Sequence, residues 1–132
     1  MKLEVVREIL DCRVITGDDR LDEEVGVGCG ADLMSDVLAF IKPNALLLTG
    51  LSNVQSVRTA DIAGIKAIVY VRGKRPDKEA IELAKEKGIV LLATKLLMYE
   101  SCGKLYQHGL RGGSELEGGS SDAGRTPLRS TL

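Results

Sequence analysis

The fold class that this sequence predicts is an α/β domain with a mainly parallel sheet and helices packed over it. Three observations lead there. From residue 45 onward, short apolar runs alternate with helical patterns, the order that calls for parallel strands joined by right-handed crossovers. The runs are apolar without a break, the habit of strands buried on both faces. A chain of 132 residues, 44% of them apolar, is long enough for one core, and a body of that size buries roughly two-thirds of its unfolded surface.

Leu3, Val6 and Leu10 recur at helical spacing, and Asp11 interrupts them before the strand-like run Arg13-Val14-Ile15-Thr16. Gly17-Asp18-Asp19-Arg20 reads as a turn, and Val25 to Cys29 as a short strand weakened by glycine. These two strands are expected to add to an edge of the sheet. Asp32 is placed to cap a helix whose Leu33, Met34, Val37, Leu38 and Ile41 share one stripe, and Pro43 ends it. The strands 45–49, 66–71 and 89–93 follow, with helices over 53–63, 76–87 and 95–107. The helix from Pro76 to Lys87 is marked at both ends. Proline and acidic residues suit its first turn, Lys85 and Lys87 its last, and Gly88 the left-handed exit. The last helix presents Met98, Cys102, Leu105 and Tyr106 as its apolar face, with Gly109 as its stop. From Arg111 both periods vanish into a Gly/Ser-rich run, so the expected organisation is a domain over 1–110 and a disordered tail over 111–132.

With eighteen basic and nineteen acidic residues the net charge is −1. That leaves no broad field for a nucleic-acid backbone, and nucleic-acid binding is not expected. No apolar stretch approaches bilayer length and the first residues lack the pattern of a secretory leader. The expected location is therefore the cytoplasm, with no membrane association. Cys12, Cys29 and Cys102 are odd in number and widely spaced, which fits neither a disulfide framework nor a zinc or iron–sulfur site. They read as small buried thiols, and no metal or cofactor is expected.

Several motifs suit specific chemistry. Gly26-Val27-Gly28-Cys29-Gly30-Ala31 matches the dinucleotide fingerprint in form. It follows the acidic run Leu21-Asp22-Glu23-Glu24 instead of an apolar strand, so a strand or bulge is preferred. His108 is the only histidine and reads as the end of a helix. Ser52 lacks a nucleophile elbow and no P-loop occurs. The carboxylates Asp18, Asp19, Asp22, Glu23 and Glu24 lack calcium-loop spacing. No catalytic constellation is assembled, and the chain reads as a non-enzyme.

The strongest ligand candidate is Thr49-Gly50-Leu51-Ser52-Asn53, between a buried strand and a helix, where backbone N–H groups can hold an anion. Capping of the helix by Ser52 or Asn53 explains the same residues equally well. Arg72-Gly73-Lys74-Arg75 and Thr94-Lys95 also follow strands, so parallel strands would deliver them to the same edge, with Arg58 one turn into the neighbouring helix. A solvated basic surface is the competing reading of those cations.

The runs Ala31 to Leu38, Leu46 to Gly50 and Val71 to Pro76 resemble those of the DRTGG-domain family, as do Glu82 to Ile89, Thr94 and Met98-Tyr99-Glu100. The resemblance covers roughly residues 1 to 110, and the layout is similar to the N-terminal domain of HPr kinase/phosphorylase. The pentapeptide that names the family is absent, since Gly50 is followed by Leu51-Ser52-Asn53. The resemblance implies a three-layer α/β/α fold and a regulatory or assembly role. In that family the domain accompanies catalytic modules, or stands alone beside iron-only hydrogenase genes. The expectation is a non-catalytic, ligand-sensing module binding a nucleotide or phosphorylated small molecule at the C-terminal edge of the sheet. The alternative is an oligomerising interaction subunit of a redox enzyme such as an iron-only hydrogenase.

Overall fold

A computed structural model of the protein describes residues 1–114. Its elements in chain order are α1 (Leu3–Leu10), β1 (Arg13–Thr16), a 3-10 turn (Asp18–Arg20), β2 (Val27–Gly30), α2 (Met34–Phe40), β3 (Ala45–Thr49), α3 (Val54–Ala63), β4 (Ala67–Tyr70), α4 (Lys78–Lys87), β5 (Val90–Ala93) and α5 (Met98–Gln107). The five strands form one sheet in the order β1-β5-β4-β3-β2. β2, β3, β4 and β5 are parallel, and β1 lies antiparallel to β5.

Successive residues of a strand face opposite sides of its sheet, and the three central strands are apolar on both. Leu46, Leu48, Ala67, Val69, Val90 and Leu92 bury one face beneath α1 and α5, through Leu3, Val6, Leu10 and Leu105. Leu47, Ile68, Tyr70 and Leu91 bury the other beneath α2, α3 and α4, through Val37, Val57, Ala60, Ala80 and Ala84. The result is the expected three layers. The alanines on α3 and α4 let those helices lie close to the sheet and to each other.

Several boundaries differ from the sequence reading. The two short strands take opposite edges of the sheet, and β1 is reversed because α1 precedes it on the side of α5. β2 begins at Val27, since the Val25 amide donates to Met1 O and the Gly26 amide to Asn44 O. Asp32 does not cap α2: the N-cap is Leu33, with no side-chain bond. Only Met34 and Val37 of that helix are buried, while Leu33 and Phe40 face outward, 60% and 75% exposed. α5 starts at Met98 instead of residue 95, because Thr94 Oγ1 accepts the Leu96 amide and holds 94–96 in a turn. Its buried residues are Ser101 and Leu105, with Met98 and Cys102 half-buried and Tyr106 exposed. Of the expected tail, Arg111 and Gly112 run beside β2, with the Gly28 amide donating to Arg111 O at 2.9 Å. Residues 115–132 lie outside the described residues.

Candidate functional site: the loop rim of the sheet

Because β3, β4 and β5 point the same way and end in register at Thr49, Tyr70 and Ala93, the loops that follow them emerge on one rim. Backbone bonds knit these loops together. The Val71 amide donates to Thr49 O, Arg72 to Leu96 O at 2.8 Å, Gly73 to Thr94 O at 2.9 Å and Asp77 to Ser52 O at 2.9 Å. Arg72 and Gly73 both have positive φ, 66° and 69°. Two left-handed residues in succession turn the chain sharply enough to aim both amides at the 94–96 loop. Residues 49–53, 72–75 and 94–95 therefore share this rim.

The rim divides into two halves. In the half built on the Gly50 loop, the Gly50 and Leu51 amides are already satisfied from within. Asp32 Oδ1 accepts the Gly50 amide at 2.7 Å and the Thr49 hydroxyl at 3.1 Å, and Thr49 Oγ1 accepts the Leu51 amide. Asn53 caps α3 by accepting the Gln55 amide at 3.0 Å. The Arg72 guanidinium reaches over Gly50 toward its carbonyl oxygen; a Cβ on Gly50 would lie 2.6 Å from Arg72 Nη2. An internal carboxylate thus stands where an external anion would bind the Gly50 amide. Arg58 is exposed on α3.

The other half holds a cavity of about 620 Å³. Five of the expected residues line it: Gly73, Lys74, Arg75, Thr94 and Lys95. Thr49, Gly50, Ser52, Asn53, Arg58 and Arg72 are not among its lining residues. The remaining wall comes from the corner between α1 and β1, including Asp11, Cys12 and Arg13, and from Lys104 of α5. These four residues were not singled out from the sequence. The antiparallel course of β1 brings Asp11, Cys12 and Arg13 here, since it pairs Arg13 with Ala93 at the exit of β5. Thr94 fastens the corner down, its hydroxyl donating to Leu10 O at 2.7 Å.

Five cationic side chains, Arg13, Lys74, Arg75, Lys95 and Lys104, face this cavity against one carboxylate, Asp11. Its hydroxyl and thiol groups are poorly suited to nucleophilic work. Thr94 is engaged with Leu10 O and the Leu96 amide, and burial pushes the Cys12 thiol up to about 12, far from the thiolate that reacts. The lining of this cavity is thus predominantly cationic.

The other sequence candidates lie elsewhere. The glycines of β2 serve close packing: a Cβ on Gly30 would stand 2.8 Å from Cys102 Sγ and 3.0 Å from Met98 Sδ of α5. His108 closes α5, its Nδ1 2.7 Å from Lys104 O. Arg20 of the acidic turn bonds Glu23 and also donates to Gly88 O, tying that turn to the end of α4. Among the described residues no three His, Cys, Asp or Glu side chains form a group able to hold a metal, and no helix is long and apolar enough to cross a membrane.

Strand order, the three layers and the loop rim define an α/β domain of the doubly covered, mainly parallel type. The family model described as the DRTGG domain matches residues 5–107, and the chain belongs to the DRTGG domain family. A similar solved structure is that of the CBS and DRTGG domains of the regulatory region of Clostridium perfringens pyrophosphatase, complexed with its activator diadenosine tetraphosphate. It superposes with a TM-score of 0.70 at 18% identity, over 80% of this chain and 46% of that one. The chain therefore spans about half the length of that neighbour, and the likeness is one of fold. No curated protein matches the sequence.

Proposed function

We propose that the chain is a non-catalytic regulatory module that binds a nucleotide or a phosphorylated small molecule in the rim cavity. The observation that carries this reading is the set of five cations around about 620 Å³ with a single opposing carboxylate. Phosphate groups suit such a lining because arginine and lysine form charge-assisted bonds to their oxygens, and the volume lies in the range of small-molecule sites. The reading is supported by family membership and by the neighbour, a regulatory region whose activator is a nucleotide. Lys74, Arg75, Lys95 and Arg13 would contact phosphate, with Gly73 and Thr94 shaping the floor. Thr49, Gly50, Ser52, Asn53, Arg58 and Arg72 would form the supporting half of the rim.

A thermal-shift panel of AMP, ATP, pyrophosphate and diadenosine tetraphosphate tests it. A ligand at 100 times its Kd stabilises by about 2.7 kcal/mol, and each kcal/mol moves the midpoint of a domain this size by several degrees. The shift should disappear when Lys74 and Arg75 are both changed to alanine. A midpoint that none of the four compounds moves overturns the proposal.

A second reading, an oligomerising subunit that docks on a redox enzyme such as an iron-only hydrogenase, is favoured by the exposed Leu97, Tyr99 and Tyr106 around α5. Concentration-dependent self-association and co-purification of such an enzyme from the native host test its two parts separately.

A further inference from the structure

The outermost position of α5 is a glycine. At about 100° per residue, the buried Ser101 and Leu105 set the inward direction of this helix, and Gly103 lies opposite to them. A Cβ placed there meets nothing within 4 Å. Glycine inside a helix is destabilising relative to alanine, and no contact among the described residues requires it here. The bare position forms the floor of a shallow groove whose walls are the side chains beside it. On one side stand Tyr99, 88% exposed, and Tyr106, whose ring is held by the Arg111 guanidinium 4.9 Å from its centre. On the other stand the exposed Glu100 and Lys104.

We infer that this face is a contact between two copies of the chain, α5 lying antiparallel against α5 about a two-fold axis at Gly103. The inference rests on the self-association reading above and supplies its surface. A two-fold axis perpendicular to the helix and parallel to the contact plane reverses the helix while keeping each lateral side facing its own equivalent, the isologous arrangement. At about 1.5 Å rise per residue, Tyr99 stands about 6 Å before the axis and Tyr106 about 4.5 Å after it. Tyr99 of one copy therefore comes within about 1.5 Å, along the helix, of the level of Tyr106 of the other. By the same count Glu100 and Lys104 of opposite copies are offset by about 3 Å along the helix. The register produces two aromatic pairs and two ion pairs of opposite sign, each occurring once per copy, and the glycine lets the backbones approach between them. A parallel two-fold pair would instead exchange the lateral sides, setting Glu100 and Lys104 of one copy against Tyr99 and Tyr106 of the other and leaving the charges without partners across the contact. One helix face from each copy is small beside the roughly 800 Å² per partner of a standard interface, so the dimer is a weak one whose population rises with concentration.

Sedimentation equilibrium of the full chain without added ligand, from about 1 μM to 1 mM, tests the inference, a range that brackets a weak pair by affinity arithmetic. A monomer–dimer equilibrium is expected, with Gly103→Leu weakening it by about tenfold or more, because leucine fills the approach between the backbones. Leucine is a better helix former than glycine, so circular dichroism should show this variant as stably folded as the parent. Glu100→Lys and Lys104→Glu should each weaken the dimer, and the two together should restore it, since only the antiparallel register exchanges both charges at once. A chain that stays monomeric at 1 mM overturns both this inference and the self-association reading. A dimer indifferent to Gly103→Leu and to the charge exchange overturns the α5 contact alone, leaving self-association through another surface.

Discussion

The Tyr70 phenol donates a hydrogen bond to Ser56 Oγ across 2.8 Å, with both residues fully buried. The direction follows from proton counting. Ser56 has one hydroxyl hydrogen, and it goes to Asn53 O at 2.8 Å, an atom that can only accept. This relay fastens the end of β4 to the first turn of α3, beneath the rim. Its two ends should respond differently to deletion. Tyr70→Phe leaves Ser56 still bonded to Asn53 and should cost about 1 kcal/mol. Ser56→Ala strands a buried phenol and should cost more, about 1–3 kcal/mol. Urea unfolding at unchanged m-value measures both, and the reverse order would contradict the assigned direction.

Tyr70 also predicts an alkaline limit. Burial pushes its hydroxyl up to about 12 from an ordinary value of 10. Between those values the unfolded chain has lost the proton and the folded chain retains it, so stability falls as pH rises. The contribution is complete below pH 10 and lost as pH passes 12, a change of about 2–3 kcal/mol. Unfolding free energies of the parent and Tyr70→Phe should differ in slope only in this window, and equal slopes would remove Tyr70 as the cause.

Asp32 is expected to matter by shape more than by charge. Its Oδ1 takes both the Gly50 amide and the Thr49 hydroxyl. Asp32→Asn preserves an acceptor at that position and should stay within about 0.5 kcal/mol of the parent, whereas Asp32→Ala should cost about 1–2 kcal/mol. Thermal midpoints of the two variants decide between them, and an asparagine variant as unstable as the alanine one would assign the effect to charge.

The three thiols should separate by accessibility. Cys12 is buried, and burial raises its pKa to about 12. Burial also raises Cys29 and Cys102, which are partly exposed. Timed alkylation of the native protein at pH 8, read by peptide mass, should label those two first. Cys12 should follow only at the rate of opening of the α1–β1 corner. Prompt labelling of Cys12 would mean that this wall of the cavity opens readily.

How far the sequence was legible depends on whether the deciding interaction is local. The runs Ala45 to Leu48, Ala67 to Tyr70 and Val90 to Ala93 announce themselves because burial on both faces leaves no charged residue inside them, and their shared direction follows from the helices between. That placed Lys74, Arg75, Thr94 and Lys95 at one rim before any coordinates. β1 was different. One exposed and three half-covered residues carry no signal of direction, which is set by where α1 packs, so the contribution of Asp11, Cys12 and Arg13 to the cavity stayed hidden. Asp32 was misread as a cap because a carboxylate before a helix can satisfy that helix or a distant amide, and the choice depends on a loop 18 residues away. In α2 the apolar stripe was real, but seven residues offer too short a face for periodicity to tell which part the neighbouring α3 covers.

The bond from the Thr94 hydroxyl to Leu10 O joins points 84 residues apart in the chain. A pocket walled by both ends of such a span cannot exist in any half-assembled intermediate, since its walls come from segments far apart in the chain. Whatever molecule occupies it would therefore act as a clasp, favouring the finished fold over every partly open form and making occupancy a measure of whether the protein has fully closed on itself.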